Sequence, residues 1–381
     1  MDRLSARELV NLVKAVFPRL SGDRRLGILV DLPRVPSEDN PDWEVRRGLA
    51  GEWVENLTEG LDDLELEAVR LLAYPSVGSN NAELPEAGAS GIAPLPADAG
   101  KLAAWGEPIS FERIFSEFQL FLAPTRFSTT APLKVAARRF GFRAATMPGF
   151  SREMIPALRI DYNEVNRRVL RLKEKLDHAA GARVTFRVDY RKEFDMHFDL
   201  RHRTGHASTG RFPDRGTAGN LPSGEAYIVP YEGERDEPSQ TEGFLPVQVG
   251  DDLAVFKVEA NRAVEVEGEG DPVNEERARL ARDPAYGNMA ELGFGVLADF
   301  GIEPIGQILL DEKLGFHVAF GRSEHFGGMV GPGDFSSPEA VIHLDRIYIP
   351  ATQPRVQVAA IELEFPKEPE ERIMQNGRYL P

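Results

Sequence analysis

Residues 120–147 read LFLAPTRFSTTAPLKVAARRFGFRAATM. Leu120–Pro124 is a short apolar run closed by proline, which predicts a buried strand. Ala131–Phe140 predicts a helix, and Phe142–Met147 a second strand. Strand, helix and strand in this order predict parallel pairing with helices covering the sheet.

The same alternation extends toward the N-terminus. Leu26–Leu32 is a strand stopped by Pro33, and residues 66–74 (LEAVRLLAY) form another. Pro41–Leu57 predicts a helix between them. A first helix carries Leu9, Leu12, Val13, Val16 and Phe17 at helical spacing, with Ser5 and Glu8 in a capping-box pattern just ahead. Phe111–Phe118 and Tyr162–Ala180 complete the helices, the latter long and amphipathic. Residues 86–100 (EAGASGIAPLPADAG), mostly small and rich in Pro and Gly, are expected to form a loop or lid. These elements define an N-terminal parallel α/β domain over residues 1–180. No G-x-G-x-x-G follows a strand and no Walker lysine motif occurs, so a nucleotide cradle is unsupported.

From Gly181 the pattern changes to alternating strands at 184–190, 194–200, 225–231, 245–259 and 262–267. Helices are expected only at 273–282 and 289–300. Residues 181–381 therefore read as a mixed, largely antiparallel α+β domain, without internal repeats.

Composition narrows the chemistry. The chain has 381 residues, 45 basic and 61 acidic side chains, a formal charge of −16 and no cysteine. Thiolate metal sites, iron–sulfur clusters, disulfides and cysteine nucleophiles are excluded together. The acidic balance argues against a nucleic-acid partner, and no apolar run is long enough to span a membrane. The start Met1-Asp2-Arg3-Leu4 lacks a signal-peptide core, so a cytoplasmic location is expected.

The chain has seven histidines, three of them between residues 317 and 343 in a glycine-rich setting. His343 and Asp345 stand two apart on a predicted strand, so alternation places both on one face. His317 opens a second apolar strand, HVAF. A lone strand histidine is usually a structural residue; the two strands together make a cation site of His and carboxylates a real alternative. Glu225 follows a Pro-Ser-Gly turn at the mouth of a strand. Glu291 sits among apolar residues, where an unpaired carboxylate would be costly. A further cluster, FDMHFDLRHRTGH (194–206), places Asp195, His197 and Asp199 on one strand face, a second place for a metal. Arg201 and Arg203 follow at once, which suggests anion recognition or simple charge pairing and makes the cluster a substrate-pocket wall at best, or a solvated strand edge.

Pro148-Gly149-Phe150-Ser151, Asp161-Tyr162, GNLPSGE (219–225), AELGFG (290–295) and the closing H-x-D strand, with Asn80–Pro85 as a further patch, together resemble the thermophilic metallo-aminopeptidase (aminopeptidase T) family over roughly residues 70–350. The resemblance implies two domains, an α/β N-terminal one and a C-terminal catalytic one with paired divalent metals, zinc, cobalt or manganese, in a homodimer. It also implies Glu225, Glu291, His317, His343 and Asp345 as metal ligands, Glu291 doubling as ligand or base. A family tyrosine seven residues after the first histidine is replaced here by Glu324, within Arg322-Ser323-Glu324-His325. That departure bears on peptide hydrolysis rather than on the ligand set. A related branch, the dihydroxypyridine ring-cleaving dioxygenases, holds one ferrous iron. The expected activity is thus a metal-dependent exopeptidase acting on a small peptide, with Glu291 or Glu324 moving the proton. The alternative is a ferrous oxygenase opening an N-heteroaromatic ring, using His317, His343 and Asp345. Asp195, His197, Ser323 and His325 are the candidate substrate-side residues.

Overall fold

The computed structural model describes residues 3–380. Strands β1 (Arg25–Leu32), β2 (Ala68–Pro75), β3 (Ala87–Gly91), β4 (Gly106–Ser110), β5 (Leu120–Thr125) and β6 (Arg143–Pro148) share one sheet. A seventh member, Thr217–Asn220, arrives from much later in the chain and pairs with β6. The order is Thr217–Asn220, β6, β5, β1, β2, β3, β4. The first five of these run parallel, whereas β3 and β4 form an antiparallel edge. Every residue of β5 is buried, as is all of β1 after Arg25, which explains their unbroken apolar runs: strands covered on both faces have no wet side to alternate toward. Phe115, from the helix Phe111–Glu117, stacks on Phe142 at 4.9 Å, and Phe121 meets Phe142 edge-on at the same distance.

Residues 86–100 are not the expected loop throughout. Ala87–Gly91 is β3, and its small residues serve close approach rather than flexibility. A Cβ on Gly88 would lie 2.5 Å from the Ala73 carbonyl oxygen, and one on Gly91 would strike the Trp105 ring at 2.7 Å.

The chain divides into two compact units. One takes the chain up to Asn166 together with Ser208–Ser223; the other takes Arg167–Ala207 and the chain from Gly224 onward. The sequence boundary at 180 thus lies inside the second unit, which the long helix Tyr162–His178 enters. Arg143 explains why Ser208–Ser223 belongs to the first unit. Its buried guanidinium donates to the Phe212 carbonyl at 2.8 Å and to Asp23 Oδ2 at 2.5 Å, beside the Thr217–Asn220 strand.

The second unit contains β7 (Gly181–Val188), β8 (Lys192–Asp199) and β9 (His206–Ser208) up to Ala207; with Thr217–Asn220 of the first unit counted as β10, it continues with β11 (Glu225–Ile228), β12 (Glu242–Val249), β13 (Asp252–Glu259) and β14 (Arg262–Glu267). β15 (Met289–Gly295), β16 (Phe316–Gly321), β17 (His343–Ile347), β18 (Val356–Glu364), β19 (Glu371–Gln375) and β20 (Arg378–Tyr379) follow. An eight-stranded antiparallel sheet has the order β14-β13-β12-β8-β7-β18-β19-β20, and a five-stranded sheet the order β17-β16-β15-β11-β9. The molecule is therefore α/β with a parallel-containing first sheet and two antiparallel ones. Among the described residues no helix is long and apolar enough to cross a membrane.

Residues 289–300 overturn the helical expectation: Met289–Gly295 is strand β15, followed by a single 3-10 turn at Leu297–Phe300. All seven strand residues are buried, and a run without alternation does not separate strand from buried helix. The glycines decide it. A Cβ on Gly293 would sit 1.9 Å from His317 Nε2, and one on Gly295 2.3 Å from the Lys313 carbonyl carbon.

Candidate metal centre

Register builds the site. In the five-stranded sheet Glu225 of β11 faces Gly295 of β15, Gly293 faces His317 of β16, and Glu291 faces Ala319. Ala319 in turn faces Asp345 of β17, and Gly321 faces His343. Directly paired residues point to the same side of a sheet, and alternate residues share a face. Glu225, Glu291, His317, His343 and Asp345 therefore project from four adjacent strands onto one face. The positions between them are Gly293, Gly295, Ala319 and Gly321, which leave the room that the five longer side chains fill.

His343 Nε2 lies 3.1 Å from Glu291 Oε2 and 3.6 Å from Asp345 Oδ1. His317 Nε2 lies 3.6 Å from Glu291 Oε1 and 3.8 Å from Glu225 Oε2. Two groups of three residues thus offer ligand atoms within 4.8 Å of one another, Glu225/Glu291/His317 and Glu291/His343/Asp345, with Glu291 common to both. Each imidazole turns Nε2 inward because Nδ1 meets a backbone carbonyl, Arg322 O at 2.7 Å for His343 and Gly315 O at 3.4 Å for His317. A carbonyl acceptor fixes the Nδ1–H tautomer and presents the Nε2 lone pair, as in histidines that bind cations. Glu225 Oε2 is buried without a hydrogen-bond partner. This set of imidazole nitrogens and carboxylate oxygens, with one oxygen orphaned, fits a divalent cation.

Electrostatics state the same fit. Burial opposes ionisation of Glu291, but hydrogen bonds from His317 and His343 outweigh it and hold this carboxyl far below the ordinary range. Burial likewise disfavours charge on His317, and Glu291, Glu225 and Asp345 overcome it, raising the imidazole to about 9. Burial raises Glu225 against the pull of Lys313 and His317. Without a cation the carboxylates draw protons onto the imidazoles to balance their charge. A bound cation would take over that role.

Lys313 was not singled out from the sequence. It is 2% exposed, its Nζ donates to Glu225 Oε1, and it also donates to Glu312 Oε1 at 2.5 Å. The signal available was a charged triplet, Asp311-Glu312-Lys313, inside an otherwise apolar stretch ending in HVAF. Glu232 and Asn288 were missed too. Glu232 Oε1 accepts from Ser323 Oγ at 2.6 Å and Asn288 Nδ2 at 2.7 Å, and Asn288 also donates to the Gly321 carbonyl at 3.0 Å. Together they pin the loop that follows β16.

The remaining sequence candidates divide. Ser323 is fully buried in that loop anchor, its hydroxyl engaged by Glu232. Glu324 is gripped by Arg322 through two hydrogen bonds, at 2.7 and 2.5 Å, and that pairing lowers its pKa. His325 does stand beside the centre, its ring 5.2 Å from that of His343 in an edge-on arrangement. Phe326 meets His343 edge-on at 5.4 Å and Tyr227 at 4.9 Å, forming an aromatic wall. Asp195 and His197 belong to β8 in the eight-stranded sheet and to neither donor group. Asp195 accepts from Thr185 at 2.7 Å, while His197 contacts the Gln240 carbonyl at 2.9 Å and Glu364 at 3.2 Å. Asp199 is paired with Arg201, so the arginines after β8 serve charge pairing.

No family model matches the chain, and no curated protein does. Among solved structures it is similar to 2,5-dihydroxypyridine dioxygenase from Pseudomonas putida KT2440, with 16% identity, TM-score 0.58 and coverage of 99% of this chain and 98% of that one. It is also similar to wild-type AmpT from Thermus thermophilus, with 15% identity, TM-score 0.52 and coverage of 98% and 99%. At such identities the likeness is one of fold, and it runs over essentially the whole length of all three chains.

Proposed function

We propose that the chain is a metal-dependent hydrolase of aminopeptidase type, removing N-terminal residues from small peptides. The observation that carries this reading is the buried convergence of Glu291, His343 and Asp345, with Glu225 and His317 beside them on one sheet face. Glu291, His343 and Asp345 would hold a divalent cation, zinc, cobalt or manganese. When bound, such an ion acidifies a water and polarises a carbonyl. The chain's own residues supply the rest. Arg322 O holds the His343 ring in orientation. Glu225 Oε2, buried and unpartnered 3.8 Å from His317 Nε2, is placed to accept a proton and return it. Glu291 and Glu324 are poorer bases, the first held by two imidazoles and the second by Arg322. His343, with its side chain 18% exposed, is the least buried of the five residues, so substrate would approach from the β17 side.

A second reading, ferrous ring-cleaving oxygenation of a hydroxylated N-heteroaromatic, is favoured by the aromatic wall of Tyr227, His325 and Phe326, which suits a flat ring. The two-imidazole, one-carboxylate set it needs, His317 with His343 and Asp345, is not among the close donor groups of the described residues. The fold neighbours carry both names and do not choose between them. The test is a paired assay on protein loaded separately with zinc, manganese and ferrous iron. Anaerobic hydrolysis of aminoacyl amides supports the hydrolase; iron-dependent dioxygen uptake with a dihydroxypyridine and no amide hydrolysis overturns it. Loss of bound metal in His343→Ala is expected in either case.

A further inference from the structure

We propose that Lys313 is a built-in cation that occupies the Glu225 side of the centre, so that the site takes one divalent ion, at Glu291, His343 and Asp345, and not two. The inference rests on the metal-site reading above and concerns how many ions that site holds.

Two donor groups share Glu291, and taken by themselves they would form two adjacent ion sites. They differ in what already neutralises them. The Glu225 group has an ammonium hydrogen-bonded to one of its three residues, and the same ammonium is shared with Glu312. Among the described residues, the Glu291/His343/Asp345 group has no lysine or arginine among the partners of its ligand atoms. A dication coordinated by Glu225 would lie within a few ångström of Lys313 in a buried, weakly screened region, and the repulsion between them would be severe.

Lys313 also has little freedom to withdraw. It is 2% exposed, and its backbone is pressed onto β15 so closely that only glycine fits at position 295. The neighbouring Gly315 is similarly constrained, since a Cβ there would lie 2.8 Å from Ile349. The ammonium is therefore delivered to Glu225 by the path of the chain. With Oε1 held by Lys313, Glu225 keeps Oε2 free toward His317, the arrangement of a proton acceptor beside an ion rather than of a ligand to a second ion.

The test counts ions. The full chain is stripped with chelator, dialysed against zinc or manganese, and analysed for bound metal, with calorimetric titration for affinity. Wild type is expected to hold one equivalent. Lys313→Met, which is one atom shorter and removes the charge, is expected to hold two. Glu225→Gln is expected to keep one equivalent with affinity within about threefold of wild type. Two equivalents in wild type overturn this inference and leave the metal reading standing, whereas none overturns both. A folded Lys313→Met that still takes one equivalent overturns it as well. Should Lys313→Met not fold, Glu225→Gln decides, because loss of its ion would make Glu225 a ligand.

Discussion

Residue 293 shows how much a missing side chain contributes. The His317 ring lies over β15 where any Cβ at 293 would stand 1.9 Å from Nε2. Gly293→Ala must push the ring aside, and overpacking of this kind costs about 1–3 kcal/mol. The displaced ring would no longer hold Glu291, which it meets at 3.6 Å, so the expected result is a folded protein whose divalent-ion affinity drops at least tenfold by calorimetry; unchanged affinity would show that this support of Glu291 is unimportant. Asp31 offers a separate test in the first unit. Burial raises its carboxyl to about 6 despite hydrogen bonds from the Arg126 and Phe127 amides and the nearby Arg46 charge. Its folded pKa therefore exceeds the ordinary 3.8, so folding favours the protonated form. Its contribution is fully present below about pH 4 and is lost as pH rises through about 6. Asp31→Asn should gain on wild type by roughly 2–3 kcal/mol between pH 4 and 7.5 in chemical denaturation. A difference that does not change with pH would refute the assignment.

At the scale of elements, caps and anchors decide what is ordered. The helix Ala6–Val16 begins with the capping box foreseen from the sequence: Ser5 Oγ accepts from the Glu8 amide at 3.3 Å and Glu8 accepts from the Ser5 amide at 2.8 Å. Ser5→Ala should cost about 1 kcal/mol, read as a lower denaturation midpoint. The loop after β16 has no such local code. It depends on Glu232, which is distant in sequence yet binds Ser323, Asn288 and Arg203. Glu232→Ala should speed hydrogen exchange selectively at residues 322–330, and uniform exchange across the chain would contradict an anchoring role. The longer helices of the first unit and its parallel strands β1, β2, β5 and β6 were legible because their signals are local: apolar spacing, caps and prolines. β3 and β15 were not, since glycine and alanine there answer to Ala73, Trp105, His317 and Lys313, contacts that no window of sequence contains.

Across the whole molecule the proposed centre would couple cation binding to folding. Five titratable groups crowded on one face are costly without a partner, and an ion that binds only the folded chain stabilises it by mass action. At a hundred times its dissociation constant the expected gain is about 2.7 kcal/mol. Melting of wild type should therefore rise with added zinc or manganese, and that of His343→Ala should not. Equal shifts in both proteins would place the binding elsewhere.

Sequence alone determined the α/β character of the first unit, the antiparallel character of the second, and the five residues that now share a face. Each was carried by periodicity, by motif or by family resemblance. The tertiary structure decided that Glu291 sits on a strand, that Thr217–Asn220 joins the first unit's sheet, and that Lys313 stands at Glu225. The physical reason is common to all three. Strand register and backbone approach are set by partners remote in the chain, and a buried charge takes its meaning from the neighbour that neutralises it.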